Sequence, residues 1–114
     1  MAERISDDAL VVRGGRNQPV DLERGTGTHP SGTTGVSVEC ASGLTVEQLS
    51  AFIPHGQIGV TTVAAVPSMG GDVIRTSGRS RSRATLTGLT PEEMSSLLSP
   101  TVRKPTKGGS RFGG

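Results

Sequence analysis

The chain has 114 residues, a formal net charge of +2 and only 2% aromatic residues. A chain of this length is typical of one domain, and its core must be aliphatic because Phe52 and Phe112 are the only aromatic rings. No apolar run approaches the roughly 18 residues of a membrane span, and the single cysteine, Cys40, excludes an intramolecular disulfide. We therefore expect a cytoplasmic protein with no secretory signal and no membrane contact, in which Cys40 is a small buried residue.

The first predicted element is a short buried strand. Residues 9–12 form an apolar run that ends at Arg13 and is followed by two glycines. Residues 14–35 are then rich in Gly, Pro, Asn, Asp, Ser and Thr and show no apolar periodicity. We predict a long loop there, and loops of that length in small domains are usually functional or disordered.

A second strand follows this predicted loop. Val36, Val38 and Cys40 alternate with Ser37 and Glu39, which is the period of a half-buried strand. Ser37 and Glu39 are therefore expected to point to the same, open face of a sheet.

The remaining elements alternate between short helices and strands. Thr45 and Gln48 form a capping box that begins an amphipathic helix ending at Pro54, and residues 58–66 are rich in β-branched side chains typical of a strand. Two short strands are predicted at 72–75 and 84–87.

The last predicted helix covers residues 91–98, because Thr90, Pro91 and Glu93 give an N-cap, a first-turn proline and a capping box. We therefore predict an α+β fold with a small mixed or antiparallel β-sheet core and two short helices. The predicted organisation is an N-terminal extension over 1–8, a domain over 9–99 and a basic disordered tail over 100–114.

Arg13 is the first candidate for a binding residue. Its guanidinium lies at the end of the first strand and offers paired donors that suit a pyrophosphate, while Gly14 lets a ligand approach the backbone. A solvated strand-end arginine explains the same spacing equally well.

Four motifs together carry a resemblance to a known family. They are Arg-Gly-Gly at 13–15, Thr-Gly-Val-Ser-Val at 34–38, Ile-Pro-His-Gly-Gln-Ile at 53–58 and Leu-Thr-Pro-Glu-Glu at 89–93. In this order, over about residues 10–98, the chain resembles small bacterial toxins of the ADP-ribosyltransferase-like group. The resemblance implies an ADP-ribosyltransferase-like fold and a growth-inhibiting toxin of a toxin–antitoxin or effector–immunity system, with a cognate antitoxin or immunity protein as partner.

The same resemblance implies a cleft that takes NAD as substrate for ADP-ribosyl transfer or NAD hydrolysis. Arg13, Gly14 and Ser37 match the positions that hold NAD in the group. The later strands of this chain carry no glutamate, so Glu39, on the same face as Ser37, is the acidic candidate.

His55 completes the predicted catalytic residues with Ser37 and Glu39. It lies on a tight turn, and histidine is the side chain whose unperturbed pKa suits proton transfer near neutral pH. A plain turn histidine and a solvated strand glutamate remain the alternatives for His55 and Glu39. His29, in the predicted loop, is a weaker candidate of the same kind.

Two other functions stay open. The alternating Arg79, Arg81 and Arg83, with the basic tail, could bind the phosphates of RNA or of a ribosome, although a solvated loop explains the same run. The third alternative is a catalytically inactive relative of the toxins.

The sequence argues against several common sites. Two distant histidines and one cysteine do not make a zinc site, so no metal is expected. No Walker pattern and no nucleophile elbow occur in the chain, and the glycines at 25 and 27 are not followed by a dinucleotide fingerprint.

Overall fold

Short antiparallel strands form the framework of the computed structural model, which describes residues 5–51, 53–76 and 80–105. The strands are β1 (Leu10–Gly14), β2 (Gly27–Thr28), β3 (Thr34–Ala41), β4 (Gln57–Thr62), β5 (Asp72–Arg75), β6 (Arg83–Thr87) and β7 (Val102–Arg103). The helices are α1 (Pro19–Gly25), α2 (Val46–Ser50) and α3 (Pro91–Leu98), with 3₁₀ turns at Val63–Ala65 and Pro67–Met69.

The strands form one sheet in the order β5-β6-β3-β1-β4-β7, and β2 pairs with β3 at its side. Every pairing between the described strands is antiparallel. The predicted α+β class with an antiparallel sheet is confirmed.

The predicted loop over 14–35 is wrong, because this segment contains α1 and β2. The Asp21 carboxylate accepts a hydrogen bond from the Gln18 N–H at 3.1 Å, and Pro19 is the first helical residue. Leu22 is fully buried in the core. A helix of about two turns therefore needs only a capping residue, a first-turn proline and a single apolar anchor, which an argument from apolar periodicity does not detect.

The packed part of the chain is also wider than the predicted 9–99. Ile5 belongs to the core, and β7 pairs with β4, where the Lys104 ammonium donates to the carbonyl of Ile53 at 2.5 Å. Residues 101–104 are thus bonded to β4 and the turn before it, and residues 106–114 of the predicted disordered tail lie outside the described residues. Conversely, the predicted strand over 58–66 ends at Thr62, where a 3₁₀ turn begins.

Two aliphatic clusters cover the two faces of the sheet. The larger one contains Leu22, Leu86 and Leu98, and in it α1 packs against α3 and β3 while α3 also packs against β4. The smaller one packs α2 against β1 through Val12 and Leu49. The expectation of an aliphatic core is confirmed within these described clusters.

Cys40 is fully buried in the larger cluster, as predicted. This burial raises the pKa of its thiol to about 11, so the thiol stays neutral at physiological pH.

The sheet divides along its length, and this division positions the candidate site. β1 pairs with β3 only as far as Val12 and Glu39, although β1 stays paired with β4 to Gly14. The other edge of β3 stays paired with β6 over this stretch, from Glu39 back to Val36. The two halves of the sheet therefore separate beyond the Val12–Glu39 pair, and we call this opening the fork.

Candidate functional site

Arg13 fills the fork. Its Nη1 donates to the Ser37 carbonyl at 2.7 Å and so replaces a backbone hydrogen bond that the separated strands cannot make. Its Nη2 lies against Gly25, where an added β-carbon would come within 2.4 Å. The Nε–H is buried, and it has no acceptor within the described part of the chain. Buried donors are nearly always paired, so this one is suited to a ligand.

The turn after β1 is held by Asn17, which the sequence argument did not single out. Asn17 is 1% exposed, has a left-handed φ of 56°, and donates from Nδ2 to the Arg13 carbonyl at 3.1 Å. Asparagine tolerates this conformation better than most residues, because its short polar side chain bonds locally. Asn17 therefore fixes the backbone from which Arg13 projects.

Glu39 lies at the apex of the fork and is 3% exposed. Its Oε1 accepts from the hydroxyls of Ser80 and Ser82, each at 2.5 Å, and its Oε2 accepts from Arg83 Nε at 3.1 Å. Arg83 is the cross-strand neighbour of Glu39 on β6. A buried carboxylate is costly unless it is paired and hydrogen-bonded, and these three donors meet that need.

A cavity of about 160 Å³ opens at the fork, and we call it the fork cavity. Its polar walls come from Arg13, Ser37, Glu39, His55 and Arg83. The strand period places Ser37 and Glu39 on one face, as predicted. That face is not open at Glu39, which is buried, so the alternative of a solvated strand glutamate is wrong. The fork cavity thus collects side chains from β1, β3, β6 and the turn after α2.

Gly14 has a packing role that the sequence argument did not predict. A β-carbon at Gly14 would lie 2.3 Å from Ile53 Cγ2 and 2.7 Å from His55 Cδ2. Glycine is therefore needed here for the turn after α2 to pack on β1 and to bring His55 to the cavity. Gly14 still lines the cavity, so a role in ligand binding stays a prediction.

The electrostatics of the fork cavity favour an anion. Two guanidiniums, of Arg13 and Arg83, face one carboxylate that already accepts three hydrogen bonds. Burial lowers the pKa of Arg13, Asp21 opposes this shift by attraction, and the nearby Arg83 adds to it by repulsion. A bound anion would offset both the burial and the repulsion.

The structure separates the predicted residues into groups. Those brought together at the fork cavity are Arg13, Gly14, Ser37, Glu39, His55 and Arg83. Arg81 is exposed and is not part of its walls, and Arg79 lies outside the described residues. Within the described part of the run, residues 80–83, Ser80, Ser82 and Arg83 bond to Glu39 while Arg81 is exposed.

Sequence reasoning missed the roles of Asn17, Ser80 and Ser82. The alternation of serine and arginine over 79–83 was visible, but it indicated a phosphate-binding loop. The signal that could have been used is the glutamate on the neighbouring strand, since a buried carboxylate needs donors.

A search for metal sites and membrane spans in the described residues found neither. Within 5–51, 53–76 and 80–105, no three His, Cys, Asp or Glu side chains are grouped so that they could hold a metal ion. No helix in those ranges is both long enough and apolar enough to cross a membrane.

Known proteins were compared with this chain in three ways, through family models, curated sequences and solved structures, and none of the three gave a match.

Proposed function

We propose that this protein is a growth-inhibiting bacterial toxin whose fork cavity binds NAD or a related nucleotide through its phosphate groups. The observation that carries the proposal is the Arg13 guanidinium, fixed by Ser37 at one end and left with a buried, unpaired Nε–H among the described residues. An arginine held in this way is preorganised for a phosphate, because its donors are already oriented.

Arg83 supplies the second charge for the phosphate. Its Nε is occupied by Glu39, which leaves the terminal nitrogens of the same guanidinium to meet a ligand in the cavity. Ser37 is exposed beside them and can hydrogen-bond a sugar or a phosphate oxygen.

The position of Glu39 suggests that it acts mainly by positioning Arg83. Both lone-pair positions of Oε1 are used by serine hydroxyls, while Oε2 accepts one hydrogen bond and retains one acceptor position. Cleavage of NAD at the ribose develops positive charge that a carboxylate stabilises, and Oε2 is the carboxylate oxygen in the cavity that can do this.

His55 is the proton-transfer candidate in this scheme. It is exposed and lines the fork cavity next to Gly14. When nicotinamide leaves with the electrons of the glycosidic bond, the incoming water or target nucleophile loses a proton, and His55 is placed to take it.

The test is bacterial growth after induction of the wild type, Arg13→Ala and the matched control Arg24→Ala at equal soluble levels. Arg24 is an exposed arginine on α1 outside the walls of the fork cavity. Wild type and Arg24→Ala should arrest growth and lower cellular NAD, whereas Arg13→Ala should do neither. Arrest by all three proteins, or by none, contradicts the proposal.

One observation favours a second candidate, an RNA-directed toxin. Arg83 of the alternating run reaches the same cavity as His55 and Arg13, and two arginines beside a histidine also suit a phosphodiester. Growth arrest that depends on Arg13 while cellular NAD stays constant and RNA is degraded would favour this candidate. Binding to RNA should then weaken steeply as salt rises.

A further inference from the structure

Two more cavities adjoin the fork cavity, one on each side. The first, which we call the β2 cavity, has a volume of about 170 Å³ and shares Ser37 with the fork cavity. The second, the α1 cavity, has a volume of about 390 Å³ and shares Arg13, Gly14 and His55. A ligand seated on Arg13 could therefore extend in both directions.

Among the described residues, no Asp, Glu, Lys or Arg side chain lines the β2 cavity. Its walls combine the exposed Ser37 and the His29 side chain with three glycines and with Thr28 and Thr85, whose hydroxyls are bonded to Thr34 and Thr76. One of these glycines, Gly35, cannot be replaced without a clash, because a β-carbon there would lie 2.0 Å from the Leu86 carbonyl oxygen. Neutral hydroxyls and exposed backbone suit a sugar or a heterocycle more than an anion.

The α1 cavity is also close to neutral beyond the shared Arg13. Arg16 and Asp21 both line it, and their charges oppose each other. Gln57 and the Gly56 backbone complete this side with uncharged polar groups. The unbalanced positive charge is therefore concentrated in the middle of the groove, at Arg13 and Arg83.

From this distribution we infer that the ligand is a phosphate or pyrophosphate diester with an uncharged group on each side, such as two nucleosides joined through phosphate. The inference rests on the proposed nucleotide binding and specifies its substrate class. A terminal phosphate monoester would place its charge at the fork but could occupy only one of the two flanking cavities.

The wild-type protein is tested by calorimetric titration with four probes: inorganic phosphate, AMP, NAD and the dinucleoside monophosphate ApA. We expect NAD or ApA to bind at least about tenfold more tightly than AMP, a difference of about 1.4 kcal/mol. The tighter binder of NAD and ApA shows whether the preferred ligand is a pyrophosphate diester or a phosphate diester. AMP binding as tightly as both diesters overturns the inference and leaves the proposed function standing.

Two variants test the flanking cavities separately. Gly27 lines the β2 cavity and Gly56 the α1 cavity, and a β-carbon at either position meets no atom within 4 Å. Gly27→Phe and Gly56→Phe should each weaken the preferred diester about tenfold and leave inorganic phosphate unchanged. The control Val20→Phe, at an exposed position outside the walls of all three cavities, should bind the diester like the wild type.

Diester affinity that is unchanged in both phenylalanine variants overturns the inference. Thermal unfolding identifies a variant that fails to fold, in which case the ranking of the four probes on the wild type decides. If none of the four probes binds, or if Arg13→Ala binds phosphate as the wild type does, the proposed function itself fails.

Discussion

Arg13 and Glu39 show how single side chains shape this site from opposite sides of the fork. Arg13 closes the gap between β1 and β3 through the Ser37 carbonyl. Glu39 holds Arg83 and two serines of the β5–β6 connection at the apex. Arg13 is available to a ligand, and Glu39 holds the neighbouring side chains in place.

Glu39→Gln should destabilise the protein by about 2 kcal/mol. The amide group cannot accept from both serines and Arg83, so buried donors are left unpaired. The measurement is the urea dependence of unfolding. Glu47→Gln, on the exposed side of α2, is the matched control and should change stability by less than about 0.5 kcal/mol. Equal effects in the two variants would contradict the role given to Glu39.

At the scale of elements, α1 is a segment that sequence reasoning described wrongly although it borders the site. Leu22 anchors it in the core, while its last residue, Gly25, lies against Arg13. The helix thus connects core packing to the position of a guanidinium.

Leu22→Ala should cost about 2–5 kcal/mol in unfolding free energy, because it removes a fully buried side chain from a tightly packed cluster. Val20→Ala on the exposed side of the same helix should cost far less, since Val20 is 50% exposed. Thermal or urea unfolding of the two variants gives the comparison. A loss at Leu22 no larger than that at Val20 would show that α1 is not anchored in the core.

The elements with strong local signals were predictable. The capping boxes at Thr45 and Thr90 begin α2 and α3 as expected, and the alternation around Ser37 and Glu39 identified β3. Most of the predicted site residues converge on one cavity, because Arg13 near the end of β1 and Arg83 at the start of β6 flank the middle of β3. The fork itself could not be predicted, since the point where β1 leaves β3 depends on tertiary pairing.

For the whole molecule, the central feature is one positive centre in a groove with nearly neutral ends. Such a distribution selects ligands by the position of their negative charge as well as by the magnitude of that charge. The proposed toxin activity depends on this centre, whichever nucleotide supplies the phosphate.

The account predicts that an anion binds directly to the Arg13 guanidinium. The first measurement is a titration with inorganic phosphate in which the ¹H–¹⁵N signal of the Arg13 Nε–H is monitored. This signal is assigned by its loss in Arg13→Lys. The signal should shift and saturate in the wild type. In Gly25→Ala, where the new β-carbon displaces the guanidinium without removing its charge, this response should weaken.

Gly27→Ala is the matched control, because Gly27 lies two residues after Gly25 and its added β-carbon enters open space. This variant should respond to phosphate as the wild type does. An Arg13 signal that does not move with phosphate in the folded wild type, or that responds identically in Gly25→Ala, would contradict the assignment of the fork as an anion site.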